Sequence, residues 1–194
     1  MKLTRQKIED LHKKYSRDSD TFKRVFTHCI VVNDIAQWCA EKSSEKVDRE
    51  LLEQACLLHD IGSYGLMGHD GFFYFLYQQH ALLGSTLLRE EGIDERIVEM
   101  VKNHLWLGLT AQEIEDSNLK LPYRDYVPRT IESEMLNYAD EFHSKDPKFK
   151  TFETQHKTLA SQAPTQAAKF QEFAERFGLP DLESLSKKYG HPIV

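Results

Sequence analysis

Apolar residues recur at spacings of three and four along most of the chain, and this pattern predicts an all-helical fold. The longest series follows the polar run at residues 17–20 and consists of Phe22, Val25, Phe26, Cys29, Val32, Ile35, Ala36 and Cys39. Such spacing places the apolar side chains on one face of a long helix. His28 lies near the middle of that helix. Alternating apolar and polar residues, which would indicate a strand, do not extend over a useful length.

A second helix is predicted to end at an adjacent histidine and aspartate. Asp48 can serve as its N-cap, and Gly62 is expected to terminate it just after His59 and Asp60. Neighbours within a regular helix point about 100° apart. Because this constraint relaxes at a helix terminus, both side chains of the pair could turn toward the same centre.

Caps and glycines predict three further helices in the middle of the chain. One covers residues 80–91, the next begins at residue 94 with His104 at its far end, and the third begins at Thr130 and includes Asp140. The connection 105–128 contains two prolines and few periodic positions. We expect a functional loop or lid there in place of a regular element.

The C-terminal part is predicted to contain two shorter helices that pack outside the core. Its apolar side chains include Phe170, Phe173 and Phe177. The full length of 194 residues is within the range of one domain and can bury a core without disulfides or structural metal. Three cysteines, an odd number in apolar segments, indicate buried, reduced thiols.

Composition and charge restrict the classes of partner. Hydrophobic residues make up 40% and charged residues 29%, as in ordinary globular proteins. No apolar run approaches the roughly 18 residues that span a bilayer, and the N-terminal residues lack the apolar stretch of a secretory signal, so we expect a cytoplasmic protein without a membrane partner. The net charge of −6 argues against binding a nucleic-acid polymer, although a local basic pocket could bind a small anion.

Six imidazole and carboxylate side chains are the candidate metal ligands. They lie on or at the ends of separate predicted helices, apart from the adjacent pair: His28, His59, Asp60, His80, His104 and Asp140. These groups suit divalent first-row ions such as iron, manganese and zinc, and packed helices can direct them toward one centre. Six ligands could hold one or two ions. Asp60, with two carboxylate oxygens, is the expected bridge and the expected catalytic residue.

Other histidines have competing interpretations. An isolated histidine on an apolar helix face is more often a hydrogen-bonded core residue than a ligand, and the chain contains nine histidines. A second pair, His69 and Asp70, is flanked by glycines and lacks a preceding apolar helix, so we interpret it as part of a loop or rim. His143 follows Asp140 by three residues. It could approach the site behind the ligands or beside the substrate, or it could face solvent.

The motifs around these ligands resemble those of the HD-domain superfamily of metal-dependent phosphohydrolases, over about residues 22–145. His28 within Arg-Val-Phe-Thr-His-Cys is similar to the first histidine of the family signature, and His59-Asp60 within Leu-Leu-His-Asp-Ile-Gly to its central pair. Asp140 within Asn-Tyr-Ala-Asp-Glu-Phe is similar to its last aspartate. The resemblance implies a single-domain helical bundle with an HD core at 22–145 and a helical extension, 146–194, packed on that core.

Two further histidines look like those of the superfamily branch that binds two metals. They are His80 in His-Ala-Leu-Leu-Gly and His104 in Lys-Asn-His. That branch includes diadenosine-polyphosphate hydrolases, cyclic-dinucleotide phosphodiesterases and a few di-iron oxygenases. The Gly-Tyr-Pro signature of the cyclic-di-GMP group is absent from this sequence, which argues against that particular substrate.

The resemblance implies a hydrolase that cleaves a nucleotide or another small phosphate ester with a metal-activated water. Arg24, Lys102 and Lys145 are the candidate cations for the phosphate, although lysines near helix ends also complement the helix dipole while remaining solvated. The aromatic run 72–77 and the segment 105–107, which contains Trp106, could stack on a nucleobase or simply belong to the core.

Two other functional classes remain open. A mixed-valent di-iron oxygenase would use the same six ligands, and a non-catalytic regulator would bind metal and nucleotide without turnover. Assay without oxygen separates the two enzymes, because hydrolysis would continue and oxygenase turnover would stop. The residues do not distinguish the metal, the substrate or the oligomeric state.

Overall fold

Ten α-helices form most of the two segments that the computed structural model describes, residues 3–68 and 76–194. In chain order they are α1 (Arg5–Tyr15), α2 (Ser19–Lys42), α3 (Arg49–Leu58), α4 (His80–Glu90), α5 (Glu95–Lys102), α6 (Ala111–Asp116), α7 (Ile131–Asp140), α8 (Phe152–Gln162), α9 (Pro164–Phe177) and α10 (Leu182–Tyr189). Two 3-10 segments, Ile61–Leu66 and Tyr77–Gln79, precede α4. The strands β1 (His143–Ser144) and β2 (Lys148–Phe149) form a short antiparallel hairpin. The predicted all-α fold is confirmed.

Side-chain caps explain where several helices begin. Asp18, Asp48 and Thr130 each accept a hydrogen bond from the backbone N–H three residues further on, at the starts of α2, α3 and α7. These bonds satisfy N–H groups that have no partner within the helix. The predicted beginnings of α3 and α7 are therefore confirmed. The helix α2 begins at Ser19, inside the polar run 17–20 and not behind it as predicted, because Asp18 caps it.

The prediction that Gly62 terminates α3 is wrong. The helix ends at Leu58, and Gly62 lies inside the following 3-10 segment, Ile61–Leu66. Its lack of a side chain serves close packing: a Cβ at this position would lie 2.1 Å from the His80 carbonyl oxygen and 2.4 Å from the Gly84 nitrogen. The turn after α3 thus contacts the backbone of α4 directly.

The connection 105–128 is more regular than its sequence predicts. It contains α6, whose N-cap Thr110 and third residue Glu113 exchange hydrogen bonds in a capping box. Leu109 and Tyr126 pair their backbones in an isolated antiparallel bridge. A small apolar cluster that includes both residues holds this connection against α4.

The central helix α2 packs against both α3 and α7, and the main core lies between them. The C-terminal part consists of three helices, α8 to α10, and the prediction that it packs outside the core is wrong. Phe170 and Phe177 of α9 are almost completely buried and contact Tyr138 of α7. Aromatic spacing on a helix indicates an apolar face but does not indicate which surface that face covers.

Two further predictions concern the cysteines and the membrane. Cys29, Cys39 and Cys56 are free and buried, as predicted, and burial raises the pKa of the Cys39 thiol to about 12. None of the helices in the described parts of the chain combines the length and the apolarity that crossing a bilayer requires.

Candidate metal centre

The structure brings the six predicted ligands together at one end of the core. His28 lies in the middle of α2, His59 and Asp60 follow the last residue of α3, His80 begins α4, His104 lies two residues beyond α5, and Asp140 ends α7. All are buried except Asp140, which is partly exposed. The adjacent pair reaches one centre because Asp60, with φ −102° and ψ 11°, has left the helical conformation that His59 retains.

The first half-site consists of His28, His59 and Asp140 around one oxygen of Asp60. The Nε2 atoms of His28 and His59 each lie 3.2 Å from Asp60 Oδ2. Asp140 Oδ1 lies 2.9 Å from His28 Nε2 and 3.4 Å from His59 Nε2. Two imidazoles and two carboxylates therefore surround one point.

The second half-site consists of His80 and His104 around the other oxygen of Asp60. Asp60 Oδ1 lies 3.4 Å from His80 Nε2 and 3.8 Å from His104 Nε2, and it accepts a hydrogen bond of 2.9 Å from Ser63 Oγ. The two Nε2 atoms of this half-site are 2.8 Å apart. Asp60 thus directs one oxygen toward each half-site, which is the arrangement of a bridging ligand.

Backbone carbonyls determine which ring nitrogen carries the proton in three of the four histidines. The Nδ1 atoms of His59, His80 and His104 lie 2.8, 2.7 and 2.5 Å from the carbonyl oxygen three residues earlier in the chain. Since a carbonyl can only accept, each Nδ1 donates its proton, and in the neutral ring that binds a metal each Nε2 holds a lone pair. Lone pairs that face each other inside a buried site repel unless a cation neutralises them. The donor set therefore fits divalent metal ions.

Charges in the centre shift the pKa values of its carboxylates. Burial alone would raise the pKa of Asp60, but Lys145 and His59 lower it well below its ordinary value. Burial would likewise raise the pKa of Asp140, and His59 and His28 lower it well below the ordinary range. Burial lowers the pKa of His80 to about 3. Both carboxylates are thus anionic and His80 is neutral at neutral pH, which are the protonation states that metal ligands need.

Of the three predicted substrate cations, Lys145 reaches the centre and Arg24 contacts the backbone of Lys145. The Lys145 ammonium forms an ion pair with Asp60 Oδ2, an oxygen that accepts no well-oriented hydrogen bond from the described residues. Arg24 Nε donates to the Lys145 carbonyl oxygen at 2.9 Å. Lys102 does not reach the centre, because its ammonium pairs with Glu99 on the same helix at 2.5 Å.

A cavity of about 640 Å³ opens onto both half-sites. Its polar part includes Arg24 and Lys145, and its apolar part consists of Leu105, Trp106, Leu109, Leu119 and Leu159. Its size and its mixed lining are those of a small-molecule site. The sequence-based interpretation of 105–128 as a functional segment agrees with this position, since the segment supplies four of the apolar residues.

Trp106 has a strained backbone beside this cavity. Its φ is +50°, a conformation rare for bulky side chains, and 39% of its surface is exposed. Gln166 holds the turn from both sides, because it accepts a hydrogen bond from the Leu107 N–H and donates one to the Gly108 carbonyl. Strain that the surrounding structure maintains occurs preferentially at functional sites.

Sequence reasoning placed Tyr77 in the aromatic run 72–77 but missed Glu141 and Lys150 near the cavity. Tyr77 stacks on His80 with ring centroids 4.5 Å apart, and the Lys145 ammonium lies 5.2 Å from the centroid of the Tyr77 ring. Lys150 and Glu141 also line the cavity, and burial raises the pKa of Glu141 to about 7. No spacing rule connects these positions to the ligands. The predicted pair His69 and Asp70 and the aromatic positions 72–75 lie outside the described residues.

His143, whose role the sequence left open, lies behind His28. Its side chain is buried, and its Nδ1 is 2.9 Å from His28 Nδ1. The interpretation as a solvent-exposed residue is therefore wrong. His143 also contacts His191, a residue that the sequence did not single out.

The fold and the site define an all-helical protein with a buried histidine and aspartate centre suited to divalent metal ions. The family model of the HD domain matches residues 25–145, which is well over half of the chain. The chain therefore belongs to the HD domain family, and the resemblance of its motifs to the HD-domain superfamily is confirmed.

Curated relatives with different names share part of this sequence. A tRNA (cytidine(56)-2'-O)-methyltransferase of Picrophilus torridus is 38% identical over 99 residues, which cover 51% of this chain and 26% of that protein. A protein of the same name from Thermoplasma volcanium is 33% identical over 126 residues, covering 65% of this chain and 33% of that protein. An uncharacterised protein of Methanocaldococcus jannaschii is 32% identical over 121 residues, covering 61% and 65%. The chain thus spans about a quarter to a third of the two methyltransferases.

Solved structures with the same fold include the HD domain of the phosphodiesterase PgpH from L. monocytogenes. It superposes with a TM-score of 0.55 at 14% identity, and the match covers 94% of this chain and 98% of that one. The same domain in complex with cyclic-di-AMP gives a TM-score of 0.54 at 15% identity, over 94% and 97%. At these identities the likeness shows the fold alone.

Proposed function

We propose that this protein is a metal-dependent phosphohydrolase that cleaves a nucleotide or another small phosphate ester. The observation that carries the proposal is the arrangement around Asp60, whose two oxygens face two sets of histidine Nε2 atoms. We assign the six residues as ligands of two divalent ions, with His28, His59 and Asp140 at one, His80 and His104 at the other, and Asp60 between them. Iron, manganese and zinc suit this donor set.

When bound, two such ions supply a hydroxide from water near neutral pH and neutralise the charge of phosphoryl oxygens. The residues of the chain hold and orient the reactants. Arg24 Nε supports the backbone of Lys145, so that the lysine ammonium is held beside Asp60. A phosphate that enters the cavity would meet both cations. Lys102 is not part of this proposal, because Glu99 already pairs with it.

We assign the apolar side of the cavity to the body of the substrate. Trp106 is the best placed side chain for stacking on a nucleobase, because it is exposed at the cavity and held rigidly by the turn around it. The net charge of −6 favours a small phosphorylated substrate over a nucleic-acid polymer. The cyclic-di-AMP complex of PgpH places cyclic dinucleotides among the substrates to be tried.

The names of two relatives raise methyl transfer as another activity. The matching part covers a third or less of each methyltransferase, and this part contains an HD domain in the present chain. We propose that the relationship concerns the HD domain, and that methyl transfer is not the activity of this chain. Incubation with S-adenosylmethionine and tRNA is the direct test, and formation of 2'-O-methylcytidine would contradict the proposal.

A mixed-valent di-iron oxygenase is the second candidate, because the same six ligands would serve oxygen chemistry. A non-catalytic regulator is a third candidate. The presence of a ligand side chain at all six positions argues against it. The decisive experiment measures metal content in protein purified without chelators and then phosphate release from a panel of esters, with and without oxygen. We expect two ions per chain and release that continues without oxygen. Turnover only with oxygen would favour the oxygenase, and absence of metal and of metal-stimulated activity would overturn the assignment.

Replacing Trp106 tests the nucleobase prediction. We expect Trp106→Ala to weaken binding of a nucleotide substrate about tenfold, because base stacking contributes roughly 1–3 kcal/mol. A phosphate ester without an aromatic group is the control, and its KM should stay constant. Equal nucleotide affinity of the variant and the parent protein would contradict stacking at this position.

A further inference from the structure

We propose that His143 and His191 position the ligand His28 through two consecutive imidazole–imidazole hydrogen bonds. This chain of three rings, which we call the histidine chain, runs from the metal centre to the segment 190–194. The inference rests on the proposed metal centre but does not depend on the substrate or on the reaction.

The need for such a chain follows from where His28 lies. His59 and His104 come at or after the last turn of a helix, where backbone carbonyls lack intrahelical partners and can accept from Nδ1. His28 lies in the middle of α2, whose carbonyls are already used by the helix. Its Nδ1 therefore requires a partner from another element.

The geometry of the histidine chain is regular. His28 Nδ1 and His143 Nδ1 are 2.9 Å apart, and so are His143 Nε2 and His191 Nδ1. Both pairs of rings are nearly coplanar, with interplanar angles of 18° and centroids 5.2 and 5.1 Å apart, which suits hydrogen bonds in the plane of the rings. His143 is only 4% exposed, so water does not compete readily for its nitrogens.

Metal binding at His28 would determine which ring nitrogen carries the proton at each position of the histidine chain. His28 Nε2 faces the carboxylates of Asp60 and Asp140 and must hold a lone pair to bind a metal. Its Nδ1 then carries the proton and donates it to the His143 Nδ1 lone pair. His143 Nε2–H in turn donates to His191 Nδ1. All three rings are neutral, and each has a single tautomer.

The segment 190–194 is itself fixed beside the β-hairpin. The Phe149 N–H donates to the Pro192 carbonyl at 2.8 Å, and the Val194 N–H donates to the Phe149 carbonyl at 2.9 Å. Ser186 Oγ donates to the His191 carbonyl at 2.6 Å. Backbone pairing thus holds the His191 ring against His143, so residues distant from the centre orient one of its ligands.

Zinc affinity of the full chain, measured by competition with a chromogenic chelator, tests the histidine chain. We expect His143→Leu to weaken zinc binding about 10- to 100-fold and His191→Leu about tenfold or less, because groups that orient a ligand contribute on this scale. His191→Asn supplies an acceptor oxygen near the position of Nδ1 and should bind nearly as well as the parent. His156→Leu, on α8, is the matched control and should leave affinity unchanged.

Nitrogen-15 NMR of the imidazoles in the zinc-loaded protein provides a second measurement. In the parent, His28 and His143 should each show one tautomer, with protonated Nδ1 and Nε2 respectively, and His191→Leu should alter the His143 signals. Thermal unfolding of the metal-free variants separates loss of fold from loss of orientation.

Three results would overturn the inference. They are parent-like zinc affinity in both leucine variants, equal losses in His191→Leu and His191→Asn, and NMR signals that place the proton on His143 Nδ1. If the parent protein binds zinc and the variants match it, only the histidine chain is wrong. If the parent binds no zinc, nickel, manganese or iron, the metal centre and the histidine chain are both wrong.

Discussion

The histidine rings of the two half-sites are oriented by different kinds of hydrogen bond. In the second half-site, His80 and His104 each donate Nδ1 to a carbonyl three residues earlier in the chain. In the first half-site, His59 uses the same local bond, but His28 depends on His143, 115 residues away. Ligands at helix ends are thus oriented by their own backbone, whereas a ligand within a helix needs tertiary contacts.

The half-sites also differ in their donors. The first has two imidazoles, Asp140 and one oxygen of Asp60, whereas the second has two imidazoles and the other oxygen of Asp60. Fewer anionic donors bind a divalent cation less strongly. We therefore expect the second half-site to lose its metal first on dialysis against a chelator.

Removing the carboxylate that the half-sites share should have the largest effect. Asp60→Asn takes away the anionic oxygen from both and leaves the Lys145 ammonium without its partner. We expect kcat/KM to fall at least about a thousandfold, corresponding to roughly 4 kcal/mol, and metal content to fall below one ion per chain. Asp10→Asn, at an exposed carboxylate that accepts a hydrogen bond from Gln6 and does not line the cavity, is the control. Two tightly bound ions in Asp60→Asn would show that Asp60 is not the bridge.

Acidification should weaken the buried hydrogen bonds of His12, which lie next to the first half-site. His12 accepts from the Tyr64 hydroxyl at 2.8 Å and donates to the Leu57 carbonyl at 2.7 Å, just before His59. Burial lowers the pKa of His12 from 6.5 to about 4. Since the unfolded chain takes up this proton first, the free energy of unfolding should decrease as pH falls from 6.5 to about 4, by up to about 3 kcal/mol.

Urea unfolding of metal-free protein between pH 7 and pH 4 measures this contribution. His12→Gln keeps an amide donor for the carbonyl but does not titrate in this range, so it should show a smaller loss of stability on acidification. Parallel pH profiles for the parent and His12→Gln would contradict the role assigned to His12.

Removing a ligand of the second half-site alone should have a smaller effect than removing Asp60. We expect His80→Ala to retain one ion per chain and to lower kcat/KM about a hundredfold, or roughly 3 kcal/mol. His28→Ala, the matched change in the first half-site, should lose the more strongly bound ion. Equal metal content in the two variants after dialysis against a chelator would show that the half-sites do not differ in the way their donors indicate.

The smallest effect is expected for the close contact between Gly62, two residues after Asp60, and the backbone of α4, which begins with His80. In Gly62→Ala, the new Cβ would meet the His80 carbonyl and the Gly84 backbone, so α4 must shift. We expect the free energy of unfolding to fall by about 2 kcal/mol, as in other overpacked cores. Gly65→Ala is the control, because its Cβ would meet only the flexible Leu83 side chain. Equal unfolding midpoints of the two variants would argue against this contact.

Much of the candidate site could be predicted from sequence because its signals are local. Asp48 and Thr130 were identified as caps because a capping side chain bonds to the backbone three residues away. Each of the six candidate ligands lies within a short motif of the chain. Lys102 was selected for its position near His104, but the side chain pairs with Glu99 instead. Proximity in sequence does not give the direction of a long, flexible side chain.

The all-helical class, the beginnings of α3, α4, α5 and α7, and the candidate ligands follow from the order of the amino acids, because periodicity, capping and the family motifs are short-range properties. The packing of the helices was needed to show that α9 joins the main core, that Gly62 contacts α4, and that His143 and His191 lie behind His28. Each of these contacts joins residues far apart in the chain. Their partners are set by how the helices pack, which no local pattern specifies.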